Sequence, residues 1–213
     1  MFANRQQAGQ RLATALAQYK EKEKTIVAGL ARGGVVVAFE VAKALHLPLH
    51  VVVPRKIGAP DQPELALGAI MEDGEGVFNQ SLIEDLSVSE SYLKSEIEKE
   101  RARAKERLKL YHAPPPPIQG ATVILVDDGI ATGATMLAVI QSMRKANAHR
   151  IIAATPVASS DALDRIGKAA DAVVCLECPA DLFSISMFYQ EFDPVEDQTV
   201  INLLILYKNV KSN

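Results

Sequence analysis

Apolar runs and amphipathic stretches alternate along this chain. Ala8, Leu12, Ala15, Leu16 and Tyr19 share one stripe and predict an amphipathic helix over 5–19. Thr25 to Leu30 is a short apolar strand, interrupted only by Gly29. Ala31-Arg32-Gly33-Gly34 follows as a glycine turn, then an apolar helix from about Val35 to Leu45. Pro48 marks the break before a strand from Leu49 to Val53. Helix, strand, glycine turn, helix and strand make a βαβ unit with a leader.

The middle of the chain breaks this rhythm. Pro54 to Leu67 carries Pro54, Gly58, Pro60 and Pro63 and reads as irregular, a mobile loop of about 54–67. Leu67 to Met71 and Val77 to Asn79 read as a hairpin around residues 72–76. Residues 89–111 are densely charged and helical, with a thin stripe of Leu93, Ile97, Ala104, Leu108 and Tyr111. They read as a solvated helix within an insertion of about 89–112, or as a partner-binding helix. Pro114 to Pro117 is a stiff connector.

The alternation then resumes. Strands are predicted at 122–127, 150–155 and 172–176, and helices at 133–146, 160–169 and about 195–207. Strands alternating with helices predict an α/β fold, a Rossmann-like mainly parallel sheet with helices on both faces. No internal repeat appears.

Composition adds bounds rather than detail. The 213 residues are 48% hydrophobic, enough for one domain over 1–213. The formal net charge of −3, with no unbalanced basic block, argues against a duplex-binding protein. Two cysteines make no disulfide framework and fit a cytoplasmic setting. No apolar run approaches membrane-spanning length. Cys175 and Cys178 lack the further ligands of a zinc site and read as inert thiols.

Candidate chemistry concentrates in residues 123–136, Val-Ile-Leu-Val-Asp-Asp-Gly-Ile-Ala-Thr-Gly-Ala-Thr-Met. The apolar strand delivers Asp127 and Asp128 to its carboxyl end, where open α/β sheets bind ligands. Carboxylates accept hydrogen bonds from a vicinal diol, and with ligand oxygens can collect magnesium, directly or through water. A plainer alternative is two acids capping the next helix. Ala131-Thr132-Gly133-Ala134-Thr135 favours a ligand, because small residues, two hydroxyls and a helix start suit a phosphate. A phosphorylated ribose would satisfy both halves.

This segment resembles the phosphoribosyl-pyrophosphate signature of type I phosphoribosyltransferases: an apolar strand, two acids, two residues, a small residue, then Thr/Ser-Gly-x-Thr/Ser. The similarity in element order extends over about 25–178. The resemblance implies that fold with a helical insertion, and magnesium-dependent transfer of a phosphoribosyl group to a nitrogenous, nucleobase-like acceptor. It implies that Asp127 and Asp128 hold the ribose hydroxyls and that Ala131 to Thr135 hold the 5-phosphate. It further implies that Arg32, Gly33 and Gly34 face pyrophosphate, and that Arg55 and Lys56 open a mobile lid over it. Mg2+ is the expected cofactor. Ala131 stands where hypoxanthine-guanine enzymes carry an aspartate base, so the acceptor is unassigned.

Residues 179–193 are the candidate hood over the acceptor. Phe183, Phe188, Tyr189 and Phe192 lie there, and Phe188 and Tyr189 are candidates to stack on a base. The alternative is a small core sealing the sheet edge. Glu72 and Asp73 are acceptor or metal contacts, or simply turn residues. The expected partners are phosphoribosyl pyrophosphate and an unidentified acceptor, in a homo-oligomer, a dimer. The alternative function is a regulatory or nucleic-acid-binding protein that senses the donor without turnover. A synthetase-like subunit is a third reading, set aside because only one signature is present.

Overall fold

The computed structural model describes residues 1–72 and 76–211, with the side chains of 63, 64, 210 and 211 outside the description. Five parallel strands form the central sheet: β1 (Thr25–Leu30), β2 (Leu49–Val52), β6 (Thr122–Val126), β7 (Arg150–Val157) and β8 (Ala172–Glu177). Their order is β2-β1-β6-β7-β8. The chain runs outward from β1 through helix α2 (Gly33–Leu45) to β2, and the later strands build in the opposite direction. The carboxyl ends of β1 and β6 therefore flank the switch point, where a crevice opens in sheets of this kind.

Period-two alternation explains why these strands are buried on both faces. Ile26, Ala28, Val123, Leu125, Ile151 and Ala153 pack on one side against Met136, Val139 and Ile140 of α5 (Ala134–Lys145) and Ile166 of α6 (Ser160–Ala169). Val27, Ile124, Val126, Ile152 and Ala154 pack on the other. There they meet Leu12 of α1 (Arg5–Ala15), Val37 and Val41 of α2, and Tyr207 of α7 (Asp197–Lys211). The predicted α/β sandwich is thus present, with its three layers each tied to alternate residues of the same strands.

The segment 54–67 is not irregular. Arg55–Ala59 is strand β3, and it pairs antiparallel with β4 (Gln62–Ile70). The turn between them holds Pro60 and Asp61, the latter left-handed at φ 61°. Two register shifts at Ile57, Gly58 and Ala59 absorb residues that do not fit a regular ladder. The sequence signal of four breakers therefore marks a tight turn and bulges inside a hairpin. β4 continues into β5 (Gly76–Phe78), as the hairpin at 67–79 required; most of its turn, including Asp73, lies outside the described residues.

This small sheet also explains the charged helix. After the short α3 (Gln80–Asp85), α4 spans Glu90–Leu110, with Ser89 capping it through Tyr92 N–H. Tyr92, Leu93 and Ile97 pack on Ile57, Leu67 and Ile70 of the hairpin. Ala104, Leu108 and Tyr111 join Val35, Val51, Val53 and Val200 beside the main sheet. The thin stripe packs against both sheets, while most of the remaining residues of α4 are exposed, as a solvated helix face requires.

Candidate active site

The β1 and β6 ends meet where the pattern predicted. Asp127 directly follows β6, and its Oδ1 accepts from the Asp128 N–H at 2.9 Å. Burial and the neighbouring Asp128 carboxylate push the Asp127 carboxyl well above its usual range.

The glycine turn lies directly against these acids. A side chain at Gly34 would put its Cβ 2.7 Å from the Val126 carbonyl oxygen and 2.9 Å from Asp127 Oδ1. At Gly33 the Cβ would fall 1.9 Å from Asp128 Oδ2. Only glycine permits this approach, so the turn after β1 and the two acids after β6 form one surface. Arg32 sits at the start of α2, with Glu196 3.7 Å from its guanidinium. The Ala31–Arg32 peptide bond is cis.

The third wall is the loop 131–135. Gly133 is left-handed at φ 77° and stands as the N-cap of α5, with no side chain to cap the helix. Neither Asp127 nor Asp128 caps this helix, so the plainer alternative of two capping acids is not what begins it. The backbone N–H groups of its first turn, with their positive dipole end, point out of the amino end of α5. Thr132 Oγ1 lies 3.5 Å from the Ala134 N–H. Ala131 and Thr132 are exposed, and Ala134 and Thr135 half-buried. Ser159 Oγ fixes the loop by donating to the Ala131 carbonyl at 2.6 Å while accepting the Ala162 N–H at 3.2 Å.

Arg55 is placed elsewhere. Its Nε donates to Glu100 Oε2 at 2.6 Å, and Arg103 donates to Oε1 of the same carboxylate at 2.5 Å. Burial pushes Glu100 up, but the hydrogen bonds from the two arginines outweigh it and hold the carboxyl below its usual range. A carboxylate only 4% exposed demands cations, and Arg55 is one of them. In this conformation the Arg55 guanidinium is engaged by Glu100. Lys56 is exposed on β3 beside it.

The aromatic residues divide. Tyr189 is 6% exposed, with its ring stacked on Phe192 at 4.7 Å and tilted against Phe2 at 5.4 Å. Both faces are covered, so a base cannot stack on Tyr189 here, and the sealing core is the reading that fits. Its hydroxyl instead donates to the Asp128 carbonyl at 2.6 Å. Phe188 is half-buried in the same cluster. Phe183, 86% exposed, and Met187 are the hood's open apolar side chains.

One residue was absent from the sequence reading. Arg5 Nε donates to Asp128 Oδ2 at 2.6 Å, across 123 positions of sequence. No local motif announces such a partner. Its only sequence signal is a cation at the start of an amphipathic helix whose apolar face must lie on the sheet.

The sequence matches the phosphoribosyl transferase domain family over residues 2–191. This chain belongs to the phosphoribosyl transferase family. Two Mycobacterium tuberculosis proteins, from strains CDC 1551 / Oshkosh and ATCC 25618 / H37Rv, are named provisionally as phosphoribosyl transferases. Each is 40% identical over 206 residues, which cover 96% of this chain and 46% of theirs. The chain thus spans about half the length of those relatives. The crystal structure of TT1426 from Thermus thermophilus is 40% identical, with a TM-score of 0.82 over 97% of this chain and 98% of that one.

Among the described residues no helix is long and apolar enough to cross a membrane, and no group of three or more His, Cys, Asp or Glu is arranged to hold a metal ion. Cys175 is half-buried, its thiol pushed up to about 11 by burial, and Cys178 is exposed. A thiol raised this way is a poor nucleophile at neutral pH.

Proposed function

We propose that this phosphoribosyl transferase domain moves a phosphoribosyl group from phosphoribosyl pyrophosphate to a nitrogenous acceptor and releases pyrophosphate. The observation that carries this reading is the contact between the 31–34 turn and the two acids. It supports the reading because it brings two carboxyls suited to a diol beside a glycine turn suited to an anion, at the switch point.

In this reading Asp127 and Asp128 take the ribose hydroxyls. The uncapped start of α5 at Gly133, with Thr132 and Thr135, takes the 5-phosphate. Arg32 and the backbone of Gly33 and Gly34 take pyrophosphate. Held at three points, the sugar presents C1 to the acceptor in one orientation, which removes much of the entropic barrier. As the C1–O bond breaks and the C1–N bond forms, positive charge builds on the sugar. The adjacent carboxyl pair stabilises that charge, and Arg32 stabilises the negative charge on the leaving group.

Two carboxyls do not make a full cage, so the donor's own oxygens would bring most of the ligands for magnesium, with Asp127 and Asp128 reaching it directly or through water. When bound, the ion supplies charge neutralisation to pyrophosphate. Ala131 offers no proton acceptor, so this loop orients the phosphate and leaves the acceptor's deprotonation to other groups.

The test is a pyrophosphate-release assay with donor, magnesium and a panel of purines, pyrimidines and other nitrogen heterocycles. Release that depends on one acceptor is the expected result. Donor binding by calorimetry without release on any acceptor would overturn the turnover reading and favour a donor-sensing protein.

A further inference from the structure

The amino-terminal segment and the hood are joined to each other and then to the donor acid. Phe2 N–H donates to the Phe188 carbonyl at 2.7 Å, and the Gln190 N–H donates back to the Phe2 carbonyl at 2.9 Å. The Glu191 N–H donates to the Ala3 carbonyl at 2.9 Å. Asn4 caps α1 by accepting the Gln7 N–H, which aims the first turn of the helix at the crevice. Arg5 is the first helical residue, and its side chain is 12% exposed. Its Nε reaches Asp128 Oδ2, its Nη1 donates to the Asp193 carbonyl at 2.8 Å, and its guanidinium lies 3.8 Å over the Phe192 ring. Tyr189, stacked on that ring, holds the Asp128 carbonyl.

We infer that Arg5 is a positioning residue for the donor sugar: it fixes the Asp128 carboxylate from the hood side so that the remaining oxygen faces the ribose hydroxyls. Arg5 acts through Asp128, and the inference rests on the assignment of Asp128 to the ribose. A carboxylate offers two oxygens and about four acceptor positions. Arg5 and the Gly33 backbone together crowd Oδ2, and Oδ1 is the oxygen that carries no arginine. A planar guanidinium held by a carbonyl, a carboxylate and an aromatic face has one orientation, which a lysine ammonium cannot reproduce.

Calorimetry with three ligands tests this on the whole chain: phosphoribosyl pyrophosphate with magnesium, ribose 5-phosphate, and pyrophosphate with magnesium. Arg5→Ala is expected to weaken the two sugar ligands by about tenfold to a hundredfold, the range for losing a charged hydrogen-bond partner, and pyrophosphate by less than about threefold. Arg5→Lys is expected to fall between wild type and Arg5→Ala. Equal loss for all three ligands would make Arg5 structural and overturn the inference. Unchanged or tighter sugar binding would overturn it too, the latter by showing Arg5 to be a plug. Wild type and Asp128→Asn serve as the reference. If wild type binds no sugar ligand, the donor-site reading fails. If Asp128→Asn abolishes sugar binding while Arg5→Ala preserves it, the donor-site reading stands and the role of Arg5 alone fails.

Discussion

Two carboxylates in this molecule receive an arginine Nε at the same distance, 2.6 Å: Asp128 from Arg5 and Glu100 from Arg55. Glu100 is saturated, with Arg55 on one oxygen and Arg103 on the other. It lies between α4 and the hairpin and joins them. Asp128 has its arginine on one oxygen only, at the mouth of the crevice, beside a second carboxyl that burial drives toward its protonated form. The same Nε–oxygen distance belongs to a carboxylate with arginines on both oxygens at one site and on one oxygen at the other. The number of oxygens occupied separates a structural ion pair from a binding one more clearly than the distance does.

The largest expected effect breaks the comparison at the crevice. In the double variant Asp127→Asn/Asp128→Asn, phosphoribosyl-pyrophosphate binding falls at least about a hundredfold, because two acceptors for charged or hydroxyl donors are lost together. Calorimetry reads this, and thermal unfolding run beside it measures the separate cost of taking the carboxylate from Arg5, whose side chain is 12% exposed. Undiminished binding would remove Asp127 and Asp128 from the site.

Gly33→Ala comes next. The added methyl meets Asp128 Oδ2 and forces the turn and the acid apart. We expect a cost of about 1–3 kcal/mol in denaturant melts, the usual range for overpacking, together with weaker donor binding. A variant with wild-type stability and affinity would show that turn and acid need not touch.

Glu100→Ala probes the saturated carboxylate and should spare donor affinity. Arg103 is about half exposed and rehydrates readily, so the expected loss is about 1–3 kcal/mol rather than the full penalty of a buried unpaired charge. Its pH dependence has a definite sign. The folded-state carboxyl titrates below its ordinary value of 4.5, so its stabilisation is complete above that value and is lost as pH falls through the lower, folded one. Glu100→Gln should flatten this acid limb in urea melts taken across the carboxylate range. An unchanged acid limb would count against the Arg55–Glu100–Arg103 cluster as its source.

Tyr189→Phe is the smallest perturbation. It keeps the ring between Phe2 and Phe192 and removes only the hydroxyl that binds the Asp128 carbonyl. A loss of about 1 kcal/mol is expected, with a donor affinity reduced no more than a few-fold. A loss as large as that from the paired acids would place Tyr189 in contact with the ligand.

The parts legible in the sequence are those whose signal is local. The strand into Asp127 and Asp128 and the glycine turn were each written in consecutive residues. Most strands and helices follow from alternation and stripe alone. The hairpin at 55–70 was not legible, because Pro60 and Pro63 look like a loop until the antiparallel partner and its bulges are seen. The resemblance implies a pyrophosphate contact for Arg55, but no local signal announces the buried glutamate 45 positions away that engages it here. Tyr189 looked like a stacking surface because aromatic composition does not reveal which faces are covered. Arg5 depends on tertiary placement of α1 and has no local mark at all.

Phe2 is fully buried, and its main chain is bridged to residues 188–190. An affinity tag or protease scar placed on the amino side sits a few residues from Asp128 and levers on the same backbone bridge that carries the hood. Acceptor screening belongs on material in which Phe2 and Ala3 keep these main-chain bonds to the hood.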